Sequence, residues 1–183
     1  LSVSGASTYA WDNGLGAGAT KTPTPAITTT YTVTGTDGNG CQNTEQVIVT
    51  VNNLPPVTIT PTPSAAICTG DSIRLAGNGA TSYLWDNAVV NNTYFTPATS
   101  LTYNVTGTDG NGCQNTASVN VILNTLPTLT PSVDTTICKG DVANISVSGA
   151  STYTWDNGLG AGATKSPTPA ITTTYKVTGT DGN

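Results

Sequence analysis

Apolar and polar residues alternate along this chain in short runs. Between residues 54 and 125 the runs are VTIT at 57–60, SIRLAG at 72–77, SYLW at 82–85, LTYNVTGT at 101–108 and ASVNVIL at 117–123. Successive side chains of a strand point to opposite faces, so a period of two predicts half-buried strands with one row inward. The runs are rich in Val, Ile, Thr and Tyr, and Gly, Pro and Asn punctuate them, as turns between strands require. No stretch carries the 3.6-residue apolar stripe of a helix of useful length.

Six or seven such strands in about 70 residues predict an all-β fold, a Greek-key β-sandwich of immunoglobulin-like type. In that arrangement Gly70 and Asp71 turn strand A into strand B, Trp85 lies on strand C, and Tyr103 and Val105 lie on strand F. Ser118 to Leu123 form strand G, and the inward row is Ile73, Leu75, Trp85, Tyr103, Val105, Val119 and Val121. Trp11, Trp85 and Trp155 are expected in the core rather than as sugar-stacking platforms, because each sits on a central strand beside alternating apolar residues.

The chain repeats itself. ICTGD at 67–71 returns as ICKGD at 137–141, and SYLWDN at 82–87 as TYTWDN at 152–157. Cys68 and Cys138 are 70 residues apart, Cys41 and Cys113 are 72 apart, so one unit is 70 to 72 residues. The expected domains are 1–53 without its first strand, 54–125 complete, and 126–183 without its last strand, arranged end to end. Residues 1–39 and 145–183 differ only at Leu1/Ile145, Ala10/Thr154, Thr22/Ser166 and Thr32/Lys176, so 35 of 39 positions are identical. The middle copy departs after its Trp, reading DNAVVNNTYFTPATS, two residues shorter than its neighbours. The order is therefore A, B, A, as duplication of a two-domain cassette would leave it, and the chain reads as an internal window onto a longer polypeptide.

Composition narrows the function. The chain has 183 residues, no His, no Met and one Glu, Glu45, so most groups that titrate or bind metals near neutral pH are missing. Charged residues make up 8% against roughly 25% in ordinary domains. The net charge of −5 comes mainly from nine scattered Asp. Nucleic acid is not expected as a partner, since phosphate binding needs clustered Lys and Arg. No apolar run approaches the roughly 18 residues of a membrane span. No enzyme activity and no cofactor are expected.

ICTGDSIRL, the SYLWDN tryptophan, the Y-x-V-T-G-T-D strand and NGCQNT together resemble the tandem Ig-like or PKD-like repeats of large surface and secreted proteins of Bacteroidota. The resemblance spans the whole chain. It implies an extracellular, cell-surface adhesin, stalk or filament component, typically exported by a type IX system. In an exported protein without His, the Cys68 and Cys113 pair reads as a disulfide. In a strict immunoglobulin topology the two lie at opposite ends, so a bridge between successive domains and free thiols stay open as alternatives. Cys41 and Cys138 would find partners outside this window, and residue 185 of the parent chain is expected to be Cys.

The linkers VNNLPP at 51–56 and LNTLP at 123–127 are short and contain Pro, which favours a semi-rigid rod over a flexible spacer. Asp71-Ser72-Ile73 and Asp134-Thr135-Thr136 match an O-glycosylation pattern of Bacteroidota, making Ser72 and Thr135 candidate modification sites. Tyr94 and Phe95, unique to the middle copy, are the candidate ligand-binding aromatics. The leading functional expectation is a structural stalk or fibre segment; the alternative is an accessory carbohydrate-binding module of a secreted multidomain protein. Partners are then neighbouring repeats of the chain, further copies in a fibre, and surface glycans. TGTDGNGCQNT at 34–44 and 106–116 opens like a calcium loop, but later ligands are missing, so a hairpin is favoured over a calcium-assisted turn.

Overall fold

The computed structural model describes residues 1–182. It is all-β, with seventeen strands and no helix among the described residues, and its antiparallel sheets fit an immunoglobulin-like sandwich. Two compact units divide it. One holds Leu1–Ile59, Gly77–Trp85 and Asn104–Ala117; the other holds Thr60–Ala76, Asp86–Tyr103 and the residues from Ser118 on.

The first unit contains β1 (Thr8–Trp11), β2 (Gly16–Ala17), β3 (Thr29–Thr36) and β4 (Gln42–Val49), in the sheet order β2-β1-β3-β4. All neighbours are antiparallel, and β3 and β4 are in register from Thr29 opposite Val49 to Thr36 opposite Gln42. Beside this sheet, residues 1–3 run against 19–21: the Val3 N–H donates to the Ala19 carbonyl at 3.0 Å and the Lys21 N–H to the Leu1 carbonyl at 2.9 Å. The period of two puts Trp11, Tyr31 and Val33 inside, and Leu1, Val3, Tyr9, Leu15 and Val49 pack against them. Burying each large apolar side chain contributes about 1.5–3 kcal/mol.

The middle repeat supplies β5 (Thr58–Thr62), β6 (Ala66–Cys68), β7 (Ile73–Asn78), β8 (Ser82–Trp85), β9 (Tyr94–Phe95), β10 (Leu101–Thr108) and β11 (Gln114–Asn124). They form two sheets, β6-β11-β10-β8 and β5-β7-β9. From β5 to β10 consecutive strands alternate between the sheets, and β11 then returns beside β10. The expected single strand A is two strands. Pro61 is accommodated within β5, an edge strand, but the strand ends at Thr62. Pro63 lacks the N–H a ladder needs, and the segment leaves β7 there and resumes as β6, parallel to β11 with Ala66, Ile67 and Cys68 opposite Ile122, Leu123 and Asn124. Ile73, Leu75, Val105 and Val121 are the largest fully buried side chains; Trp85 and Tyr103 are also buried, and Val119 is half-buried.

The last repeat supplies β12 (Thr130–Pro131), β13 (Ile145–Ser148), β14 (Thr152–Trp155), β15 (Gly160–Ala161), β16 (Thr164–Lys165) and β17 (Val177–Thr180), in sheets β12-β13-β16 and β15-β14-β17.

The same local devices recur in each repeat. The hydroxyls of Tyr9, Tyr83 and Tyr153 each accept the N–H of an Ala three residues earlier, at 2.7, 2.8 and 2.7 Å, and donate to its carbonyl, at 2.9, 2.8 and 2.6 Å. One phenol so satisfies both backbone groups of a tight turn. The next Tyr-x-Trp position is inward: the Trp11 and Trp155 rings are buried, and their Nε1–H groups donate to the Gly18 and Gly162 carbonyls at 2.9 Å.

Candidate functional site

The segment where the middle repeat departs from its neighbours builds the candidate site. In the outer repeats Asp-Asn-Gly after the Trp makes a hairpin turn, with Asn13 and Gly14 at φ 49° and 77° and Asn157 and Gly158 at 50° and 76°. Leu15 N–H closes it on the Asp12 carbonyl at 3.1 Å. Two successive positive φ values define a type I′ turn, which suits Asn-Gly. The middle repeat makes the same turn with Asn87 at 50° and Ala88 at 57°, closed by Val89 N–H on the Asp86 carbonyl at 3.2 Å. An alanine held in the left-handed region costs about 1–2 kcal/mol, and such strain concentrates where ligands bind.

A second turn follows at Val90–Thr93, with Asn92 at φ 61° and its N–H donating to the Leu75 carbonyl at 2.9 Å. It delivers β9 to β7, with Tyr94 opposite Arg74 and Phe95 opposite Ile73. The two turns and β9 enclose an open hollow of about 160 Å³, lined by Asn87, Ala88, Val89, Val90, Thr93, Tyr94 and Phe95. Tyr94 is 56% exposed, and its ring faces the Arg74 guanidinium, whose Cζ lies 5.5 Å from the ring centroid. This cation–π contact holds the ring in place. Phe95 instead meets the buried Tyr103 edge to face, with centroids 5.3 Å apart. Burial pushes the Tyr103 phenol above its usual range, and the Asp86 carboxylate adds to the shift.

The two expected aromatics are therefore adjacent, but only Tyr94 presents a face to solvent. The hollow offers that face, the Asn87 amide and the Thr93 hydroxyl, with no acid or base among its lining residues. Its chemistry is stacking and neutral hydrogen bonding. The sequence reading missed Arg74, the one arginine of the chain. Its signal was an isolated cation in SIRLAG, but the pairing of β7 with β9 that brings it to Tyr94 depends on the two turns.

The loops that resemble calcium sites are closed by their own Asp. Asp37 Oδ1 accepts the N–H groups of Asn39 at 2.8 Å and Cys41 at 2.9 Å, and its backbone N–H donates to the Cys41 carbonyl at 3.0 Å. Asp109 repeats this with Asn111 and Cys113, both at 2.9 Å. No group of three or more His, Cys, Asp or Glu residues is placed to hold a metal ion among the described residues. The carboxylate is thus the turn's own cap.

All four cysteines are free, so the expected Cys68 to Cys113 bridge is absent. Strand register gives the reason. Cys68 is opposite Asn124, the last residue of β11, and Cys113 precedes its first, Gln114. Eleven residues of extended strand span roughly 36 Å, whereas a disulfide needs Cα atoms within about 7 Å. Cys41 and Cys138 are exposed. Of the candidate modification sites, Ser72 is exposed with its Oγ 2.9 Å from Thr96 Oγ1, and Thr135 is exposed. No protein-family model and no curated protein matches the chain.

Proposed function

We propose that the chain is a structural segment of a long repetitive extracellular adhesin or filament, forming part of a semi-rigid stalk or fibre. One observation carries this reading: the polar groups that recur with the repeat are committed to backbone. The corner tyrosines bond Ala6, Ala80 and Ala150, and the loop carboxylates of Asp37 and Asp109 cap their own hairpins. A protein that repeats its scaffold and commits these recurring phenols and carboxylates to its own backbone is suited to reach rather than to catalysis, and we assign it no enzyme activity. The likeness to Bacteroidota surface repeats, the Pro-containing linkers and the hydroxyl- and amide-rich surface support the extracellular location. Neighbouring repeats and further copies in a fibre are its partners. Electron microscopy of the native material tests this: fibres or elongated stalks are expected, and isolated globular particles overturn it.

The hollow beside Tyr94 supports a second reading, an accessory carbohydrate-binding module. A fixed, exposed aromatic face beside a strained turn, with an amide and a hydroxyl at hand, is the chemistry that stacks a sugar ring. Glycan-array binding that disappears in Tyr94→Ala would favour it; binding that survives the substitution removes it.

A further inference from the structure

The segment after the Trp closes a sheet edge in the outer repeats and leaves it open in the middle one. In the first repeat the chain beyond the turn returns as β2 along β1, and in the last as β15 along β14. Each of these short strands carries a lysine: Lys21 Nζ donates to the Ala17 carbonyl at 2.7 Å and Lys165 Nζ to the Ala161 carbonyl at 2.6 Å. A very short outer strand with a lysine on it keeps an edge from pairing with another chain. In the middle repeat Val90 and Asn91 hold the places of Gly16 and Ala17. There a turn, closed by Thr93 N–H on the Val90 carbonyl at 3.2 Å, takes the chain to β7 instead. Ten residues after its Trp, where the outer repeats have their lysine, stands Phe95. β8, the counterpart of β1 and β14, is consequently an edge of its sheet.

Register shows which groups this edge offers. Ser82 opposes Thr108 as Thr8 opposes Thr36 and Thr152 opposes Thr180, so the three strands turn the same backbone groups toward their paired neighbour. On the other side the Tyr9 carbonyl accepts Gly18 N–H and the Tyr153 carbonyl accepts Gly162 N–H, both at 3.1 Å. Tyr83 therefore points its carbonyl outward, and its N–H with it, since both groups of one residue face the same side in an antiparallel ladder. A side chain marks the same place. Where the outer repeats have Ala10 and Thr154, β8 has Leu84, 76% exposed. From Ser82 to Trp85 there is neither a charge nor a Pro to blunt the edge.

We infer that β8 pairs antiparallel with β8 of a second copy about a two-fold axis at Tyr83, joining the two sheets edge to edge. Each Tyr83 N–H then donates to the Tyr83 carbonyl of the other copy, and the two Leu84 side chains lie diagonally across the axis, within reach of each other. A second copy suits this edge because it brings an equally uncharged strand with the same exposed leucine. The axis also sets each Asp86 against Ala80, so no like charges meet. The pairing rests on the stalk reading and deepens it, giving neighbouring stalks a lateral contact at the middle repeat. The two fail separately: elongated particles that stay monomeric refute the pairing alone, and globular particles that pair refute the stalk alone.

Sedimentation of the full chain across a wide concentration range, with thiols reduced, tests the pairing. A monomer–dimer equilibrium is expected that stops at the dimer, because an isologous contact occupies its own edge. Hydrogen-exchange protection at Tyr83 should rise with the dimer. Leu84→Lys and Leu84→Glu alter an exposed side chain, and each alone should weaken the dimer by about tenfold or more. An equal mixture of the two should restore it, since opposite charges then meet across the axis. Ile171→Lys, at an apolar residue of the last repeat that is 79% exposed, should leave it unchanged. A monomer at all concentrations, growth past the dimer, association undiminished by both Leu84 variants, a mixture that fails to pair, or an equal loss from Ile171→Lys would each overturn the inference.

Discussion

Gly70 and Gly79 stand on either side of β7 in the middle repeat and share a positive φ, 96° and 87°. Their surroundings differ: a Cβ on Gly79 would strike the Pro56 carbonyl oxygen, and one on Gly70 would meet nothing within 4 Å. Two demands for glycine, by the backbone and by a neighbour, are therefore separable within one chain. Gly79→Ala should cost roughly 3–5 kcal/mol, combining about 1–2 kcal/mol of left-handed strain with about 1–3 kcal/mol of overpacking. Gly70→Ala should show only the strain. Urea unfolding of the two variants gives the measurement, and equal losses would break the comparison.

The Asp-capped hairpins sharpen it from the other side, because there equivalent positions of the first and middle repeats have the same surroundings. Asp37 and Asp109 each accept two backbone N–H groups at 2.8–2.9 Å. Asp37→Ala and Asp109→Ala should each cost about 1–2 kcal/mol, the value of hydrogen bonds to a charged acceptor reduced for solvent exposure. Calcium should leave the melting temperature of the unaltered chain unchanged. A calcium-dependent rise would return these loops to the class of metal sites.

Much of the middle repeat was legible in its alternation. SYLW and LTYNVTGT are β8 and β10 to the residue, and six of the seven residues predicted to face inward are buried, Val119 being half-buried. Period two reports which face of a strand is buried, and six or seven short strands in about 70 residues point to an immunoglobulin-like sandwich. Periodicity says nothing about which strands are neighbours. The split of strand A at Pro63 and the parallel union of β6 with β11 were hidden for that reason. The misplaced disulfide follows from the same gap, because Cys68 and Cys113 belong to opposite ends of β11. At the candidate site, composition singled out Tyr94 and Phe95, but their division of labour rests on partners, Arg74 for one and Tyr103 for the other, set by the β7–β9 register.

The smallest expected effect concerns the turn after the Trp, where the repeats differ by one methyl group. Ala88 in the middle repeat has φ 57°, and Gly14 in the first has φ 77°. Ala88→Gly relieves left-handed strain but frees the unfolded chain, leaving a gain of about 0.5–1 kcal/mol. Gly14→Ala should lose about as much, so the pair should have opposite signs in the same unfolding assay. The exchange also separates tolerated strain from useful strain. Ala88 lines the hollow beside Tyr94, whereas a Cβ on Gly14 would meet nothing within 4 Å. If the middle repeat binds sugar there, Ala88→Gly should stabilise the fold and weaken glycan binding together, because the relaxed turn no longer fixes one wall of the hollow. A more stable variant with glycan binding unchanged would make Ala88 a cost of sequence divergence and leave Tyr94 alone to account for recognition.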